Sequence, residues 1–212
     1  MSSSFSPSSP FPALLFGLIV DRYPRGSIFF ADDFSLDGHR PEAVRWALSE
    51  LCSDGVSIIR LGRGIFCYPR LDPHGKVVTP DDLAVAEALA ARWRVRIAPC
   101  GEQAAYLSGL IAFQNYPLRF VSDGSEQVFN LQNGRRIEFL RRKSVKVFDF
   151  RSERFRNLVE GLRFLGSPNV KEFETGVVRE VLREVPDSDF FHDVLLAPGW
   201  VREFCLSLRE SE

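Results

Sequence analysis

The chain predicts an α+β fold, and three observations carry that prediction. First, residues 27–69 hold a capped apolar helix followed by a glycine-rich hairpin. Second, four short strand signals follow residue 118, two of them joined by Asn133-Gly134, a strong hairpin signal. Third, helical periodicity returns at residues 154–165, 170–185 and 198–208. Together these describe an N-terminal winged helix-turn-helix followed by a mixed α+β C-terminal domain. The expected division is a disordered tail over 1–12, the winged domain over 13–70, a linker over 71–78 and the α+β domain over 79–212.

The elements follow in order. Residues 2–10 are rich in serine and proline, and residues 13–20 are an apolar run ended by Asp21-Arg22, read as the first helix. Residues 31–36 carry Phe34 and Leu36 as apolar anchors, and Asp37-Gly38 forms a turn. Pro41 sits where a helix starts, since a first-turn proline loses no hydrogen bond that the helix needs. Val44, Ala47, Leu48 and Leu51 recur at helical spacing, and Asp54-Gly55 stops the run. Arg60-Leu61-Gly62-Arg63-Gly64 is the hairpin. Beyond the linker, Thr79 is the expected N-cap, with Pro80 in the first turn and Asp81-Asp82 set against the helix dipole. That helix runs to Trp93. A strand at 95–98 and a helix at 101–110 come next, then strands at 118–122, 127–131, 136–139 and 145–148.

The first of these units has a chemistry. A helix of this size fits the DNA major groove, and its first turns touch base edges. With Val44 turned to the core, the helical wheel turns Glu42, Trp46 and Ser49 outward, with Arg45 at the flank and Arg40 at the mouth. Trp46 is expected to pack against a neighbouring helix. The hairpin offers Arg60 and Arg63, with Arg70 just beyond. Gly62 and Gly64 let backbone approach a phosphate. Arg40, Arg45, Ser49, Arg60, Arg63 and Arg70 are therefore the DNA-binding candidates. The alternative is a winged helix used only for protein contact, its arginines merely solvated.

Here the sequence resembles a family. Asp33-Phe34, Gly38, the helix at 44–51, the hairpin at 60–64 and Tyr68-Pro69 together look like the AbiEi-type antitoxins of type IV toxin–antitoxin and abortive-infection systems. Residues 97–110, IAPCGEQAAYLSGL, are similar to the segment that opens that family's second domain. Phe120-Val-Ser-Asp-Gly124 and Leu196-Ala-Pro-Gly-Trp200 add weaker matches. The resemblance implies an antitoxin that binds operator DNA and represses its own operon. It also implies a nucleotidyltransferase-like toxin as functional partner, without requiring that the two touch. The chain departs from the pattern in its extra aromatic residues and at Cys100, where a small hydroxyl residue is more usual.

Composition bounds the rest. A 212-residue chain with 45% hydrophobic residues and net charge −1 reads as an ordinary cytoplasmic protein of one or two domains. From residue 135 to 156 there are nine Lys or Arg against three Asp or Glu. Arg135, Arg136, Arg141, Arg142, Lys143 and Lys146 are thus a candidate second basic surface. They serve either a nucleic acid or simply a solvated sheet face. Ile137 and Phe139 share one strand face; Arg136, Glu138 and Leu140 share the other. Phe148 and Phe150 are expected core residues.

Cys52, Cys67, Cys100 and Cys205 show no CxxC spacing, and with His39, His74 and His192 they make no metal pattern. They read as buried reduced thiols. Ser122-Asp-Gly-Ser125 reads as a strand end with a turn. Asp187, Asp189 and Asp193 are spaced loosely enough for a cation, but read as capping and charging a helix start, for which Ser188 and Asp189 are good N-terminal residues. No carboxylate pair is placed for acid–base work. An enzyme, a cofactor, a metal site and a membrane partner are therefore not expected. The runner-up function is a non-enzymatic module that uses the basic C-terminal sheet on RNA or protein, with the winged helix as scaffold.

Overall fold

A computed structural model describes residues 10–34, 40–142, 146–167 and 170–210. The fold is α+β. Its contacts divide the chain into two units: Met1–Leu89 with Asn130–Gly134, and Ala90–Phe129 with Arg135–Glu212. The change falls inside a helix, eleven residues past the expected linker over 71–78.

The first unit opens with helix α1 (Pro10–Arg22), which begins within the expected tail and buries Pro12, Leu15 and Ile19. Strand β1 (Ile28–Phe30) follows; it is a three-residue apolar run with no alternation to announce it. A short 3-10 turn spans Ala31–Asp33. The Asp33 carboxylate accepts hydrogen bonds from the Phe30 amide (2.7 Å) and the Tyr23 hydroxyl (3.2 Å), so this aspartate fixes the corner after β1. Burial, then the Asp33 charge, raise the Tyr23 pKa. Leu36, the Asp37-Gly38 turn and His39 lie outside the described residues.

Helix α2 (Pro41–Leu51) starts at Pro41 and buries Val44, Ala47, Leu48 and Leu51, the four residues whose spacing defined it. Cys52 follows as C-cap. The Asp54 carboxylate then accepts from the amides of Val56 and Ser57, each at 2.8 Å, and turns the chain toward the sheet. Partial burial works against its ionisation, yet the Ser57 and Val56 hydrogen bonds hold its pKa below the usual carboxylate value. Strands β2 (Ile59–Gly62) and β3 (Ile65–Cys67) pair antiparallel through the two-residue turn Arg63-Gly64. Gly64 takes φ 73°, a conformation that glycine adopts at no steric cost. Strand β3 also pairs with β1, so the sheet order is β1-β3-β2. Phe29, Phe34, Phe66 and Tyr68 pack with the buried faces of α1 and α2 in one core.

The expected linker is itself structured: β4 (Arg70–Leu71) and β5 (Val77–Val78) pair as a small hairpin. Helix α3 (Asp82–Trp93) is capped by Asp81, not by Thr79. The Asp81 carboxylate accepts from the Ala84 amide at 2.8 Å, the bond an N-cap makes to the third helical residue.

The second unit holds β6 (Ile97–Pro99), α4 (Glu102–Leu107), β7 (Leu118–Ser122), β8 (Gln127–Asn130) and β9 (Arg136–Arg141). Their sheet order is β6-β7-β9-β8, with β6–β7 antiparallel and β7–β9 parallel. Asn133 and Gly134 both take positive φ between β8 and β9, where the sequence placed its hairpin turn. The expected strand at 145–148 is a 3-10 turn over Lys146–Phe148 among the described residues, and Val147 is its buried member. Phe148 and Phe150 are only partly buried. Helices α5 (Glu153–Leu165), α6 (Glu172–Glu184), α7 (Asp187–Asp193) and α8 (Gly199–Glu210) supply the largest core cluster. Asp187 and Asp189 lie in the first turn of α7, where the helix dipole favours negative charge, whereas Asp193, expected with them, ends that helix and accepts from the amides ahead of α5. No helix among the described residues is long and apolar enough to cross a membrane.

Candidate functional site

In the first unit, Arg45 from α2 and Arg60 and Arg63 from the β2–β3 hairpin line one concavity of about 620 Å³. Gly62, Gly64, Phe66, Ala31, Asp32 and Gln132 complete its wall. The local fold explains each arginine. Arg45 stands one helical position past buried Val44, so the wheel that buries Val44 exposes it. It pairs with Glu42, 3.7 Å away on the same helix; such an exposed pair holds the guanidinium only weakly. Arg60 is half-buried, and its guanidinium carbon lies 5.4 Å from the Phe66 ring centroid. A cation over a ring face is held there by the ring quadrupole, and the Arg60 guanidinium also reaches the Cys52 side chain. Arg63 is exposed at the turn itself.

The remaining candidates stand outside this wall. Arg40 is exposed at the N-cap of α2, and Ser49 is exposed one turn beyond Arg45. Arg70 is exposed on β4, and its Nε donates to the Arg25 carbonyl at 3.2 Å. A Cβ at Gly26 would lie 2.4 Å from that nitrogen, so Arg70 is a strut across the chain. Trp46 was expected to pack; it keeps 49% of its surface exposed beside Arg45. Among the described residues of the wall, sequence reasoning missed Gln132. It is far from the hairpin in sequence, and no local pattern reports such a contact.

Two cations of the basic stretch of the second unit, Arg136 and Arg142, are engaged in ion pairs. Arg136 pairs with Glu138 at 2.7 Å, and Arg119 reaches the same carboxylate at 3.0 Å. Ile137 and Phe139 are buried on one face, as the alternation required. Arg142 donates to Glu160 at 2.7 Å, and Arg163 to its other oxygen at 3.2 Å. The Glu160 side chain is only 4% exposed, so Arg142 neutralises a buried charge. Arg141 and Lys146 are exposed, Arg135 is half-buried, and Lys143 lies outside the described residues. Arg142→Ala should therefore destabilise the protein by about 2–4 kcal/mol, since it strands most of a buried charge. Thermal or urea unfolding measures this; a change under about 0.5 kcal/mol would show that Arg163 alone suffices.

The other reactive groups are quiet. Burial pushes the thiols of Cys67 and Cys100 up to about 11 and that of Cys205 up to about 12. Burial also raises half-buried Cys52, against the opposing charge of Arg60. A protonated thiol is a poor nucleophile and a poor metal ligand. Ser122 is fully buried, and its hydroxyl accepts from the Gly124 amide at 3.0 Å. The Arg96 guanidinium beside Asp123 holds that carboxyl below its usual range. Among the described residues, no three His, Cys, Asp or Glu side chains cluster to hold a metal ion.

Over residues 18–190 the sequence matches a family described as DUF6088, a family of unknown function. No curated protein and no solved structure matches it.

Proposed function

We propose that this chain, which belongs to the DUF6088 family, is a non-enzymatic, cytoplasmic DNA-binding regulator that contacts its operator through a winged helix. The observation that carries the reading is the shared wall of Arg45, Arg60 and Arg63. A helix and a hairpin that present guanidinium groups to one concavity suit a duplex, whose grooves and phosphates alternate on that scale. The order helix, strand, turn, helix, strand, strand, with β3 central in its sheet, supports the winged-helix assignment. In this reading α2 enters the major groove. Arg40, Arg45 and Ser49 face base edges, and Arg60 and Arg63 hold phosphates.

The motif resemblance extends the proposal. The operator is that of the protein's own operon, and the second unit counteracts a nucleotidyltransferase-like toxin, with or without direct contact. The ion pairs of Arg136 and Arg142 weigh against a free basic sheet as the primary nucleic-acid surface.

The test is a reporter fused to the DNA upstream of the protein's own coding sequence, with the protein supplied in trans. Repression is expected, and Arg45→Ala should relieve it by weakening specific binding by about 1–3 kcal/mol, the worth of a base contact. Equal reporter output with and without the protein would refute autorepression.

A further inference from the structure

We infer that Gln132 is a further DNA contact, its carboxamide donating to the sugar–phosphate backbone received by the arginine concavity. The inference rests on the DNA-binding reading above. Residues Asn130–Gly134 belong to the first unit although they follow its last helix by some distance in sequence. Leu131 forms an isolated antiparallel bridge with Gly62 of β2. A Cβ at Gly62 would lie 2.9 Å from the Asn130 carbonyl oxygen and 3.2 Å from the Leu131 side chain. Glycine there is what lets this loop close on the hairpin. Asn133 and Gly134, both at positive φ, make the tight turn that follows Gln132. Leu131 is buried and Gln132 exposed, so the loop is anchored by one residue and presents the next to the wall shared with Arg45, Arg60 and Arg63.

The chemistry selects the ligand. A concavity of about 620 Å³ with three guanidinium groups on its wall is far larger than one phosphate and suits a length of backbone. Glutamine side chains commonly donate to phosphate oxygens. A neutral amide adds a hydrogen bond but releases no counterion, so it strengthens binding without changing the salt dependence. That separates its signature from those of its arginine neighbours.

The experiment is a fluorescence-anisotropy titration of the full-length protein against two labelled duplexes of equal length, its own upstream DNA and a shuffled version, over a series of salt concentrations. Gln132→Ala should weaken binding to both duplexes by about threefold to tenfold, the worth of one hydrogen bond, with the salt slope unchanged. Gln132→Lys should steepen the slope by about one unit. Gly62→Ala, which displaces the loop while leaving Gln132 intact, should reproduce the loss seen with Gln132→Ala. Circular dichroism establishes that each variant is folded, and the exposed Gln132 variants carry the test if Gly62→Ala is not. Wild-type affinity of Gln132→Ala for both duplexes overturns the inference and leaves the DNA-binding reading standing. So does a loss confined to the upstream duplex, which would make Gln132 a base reader. Failure of the wild-type protein to bind either duplex overturns that reading and the inference with it.

Discussion

Replacing Arg60 and Arg63 together by alanine should weaken binding to every duplex alike, by about tenfold or more at moderate salt, and flatten the dependence on salt. Each phosphate neutralised by a cation contributes about 0.9 to the slope of log affinity against log salt, so losing two should lower its magnitude by about two units. The two arginines stand on either side of Gly62, Arg60 within β2 and Arg63 in the turn beyond it. A hairpin edge of that kind reaches backbone more readily than base edges. Arg63 is exposed, so its loss should leave folding intact; Arg60 also gives up its place over Phe66, a loss of about 0.5–1 kcal/mol. A thermal melt beside the titration separates the two effects. A double variant that changes sequence preference while keeping the salt slope would make the hairpin a reader and contradict the assignment.

Asp193→Ala should destabilise the protein by about 3 kcal/mol, roughly 6–12 °C in melting temperature at this chain length. Asp193 is fully buried at the end of α7. Its Oδ1 accepts from the Arg151 amide at 2.9 Å and its Oδ2 from the Ser152 amide at 2.8 Å. His192 Nδ1 lies 2.8 Å from Oδ1. These bonds tie the chain that enters α5, whose N-cap is Ser152, to the end of α7. Alanine would leave two buried amides without acceptors, and that penalty exceeds the net worth of the bonds themselves. Chemical unfolding of the variant gives the number; a loss below about 1 kcal/mol would mean that water reaches those amides.

These two sites mark what the sequence discloses and what it does not. Helix α2 was legible because its start, its stripe and its stop are all local: Pro41, the spacing of Val44 to Leu51, and Asp54-Gly55. The hairpin was legible from Gly64, and β7 from its short apolar run of Leu118, Phe120 and Val121. Arg45 and Arg63 could be named because exposure on a helix or turn follows from local pattern, and Arg60 because it belongs to the same hairpin. Asp193 was not legible as a cap, since its partners are more than 40 residues away in sequence. The same holds for Gln132, for the Glu160 partner of Arg142, and for the strut made by Arg70. Strand β1 escaped because an apolar triplet has no period to read. Asp33-Phe34 and Tyr68, which carried part of the resemblance, prove to be corner and core residues: their pattern reports how the unit folds as much as what it binds.

Recognition of a particular duplex by the first unit, as proposed, is tested by the affinity of the full-length protein for its own upstream DNA and for a shuffled duplex, taken at several salt concentrations. The upstream duplex should be preferred by about a thousandfold or more, and affinity for both should fall linearly, on logarithmic scales, as salt rises. Equal affinity for the two duplexes, or binding indifferent to salt, would contradict the proposal.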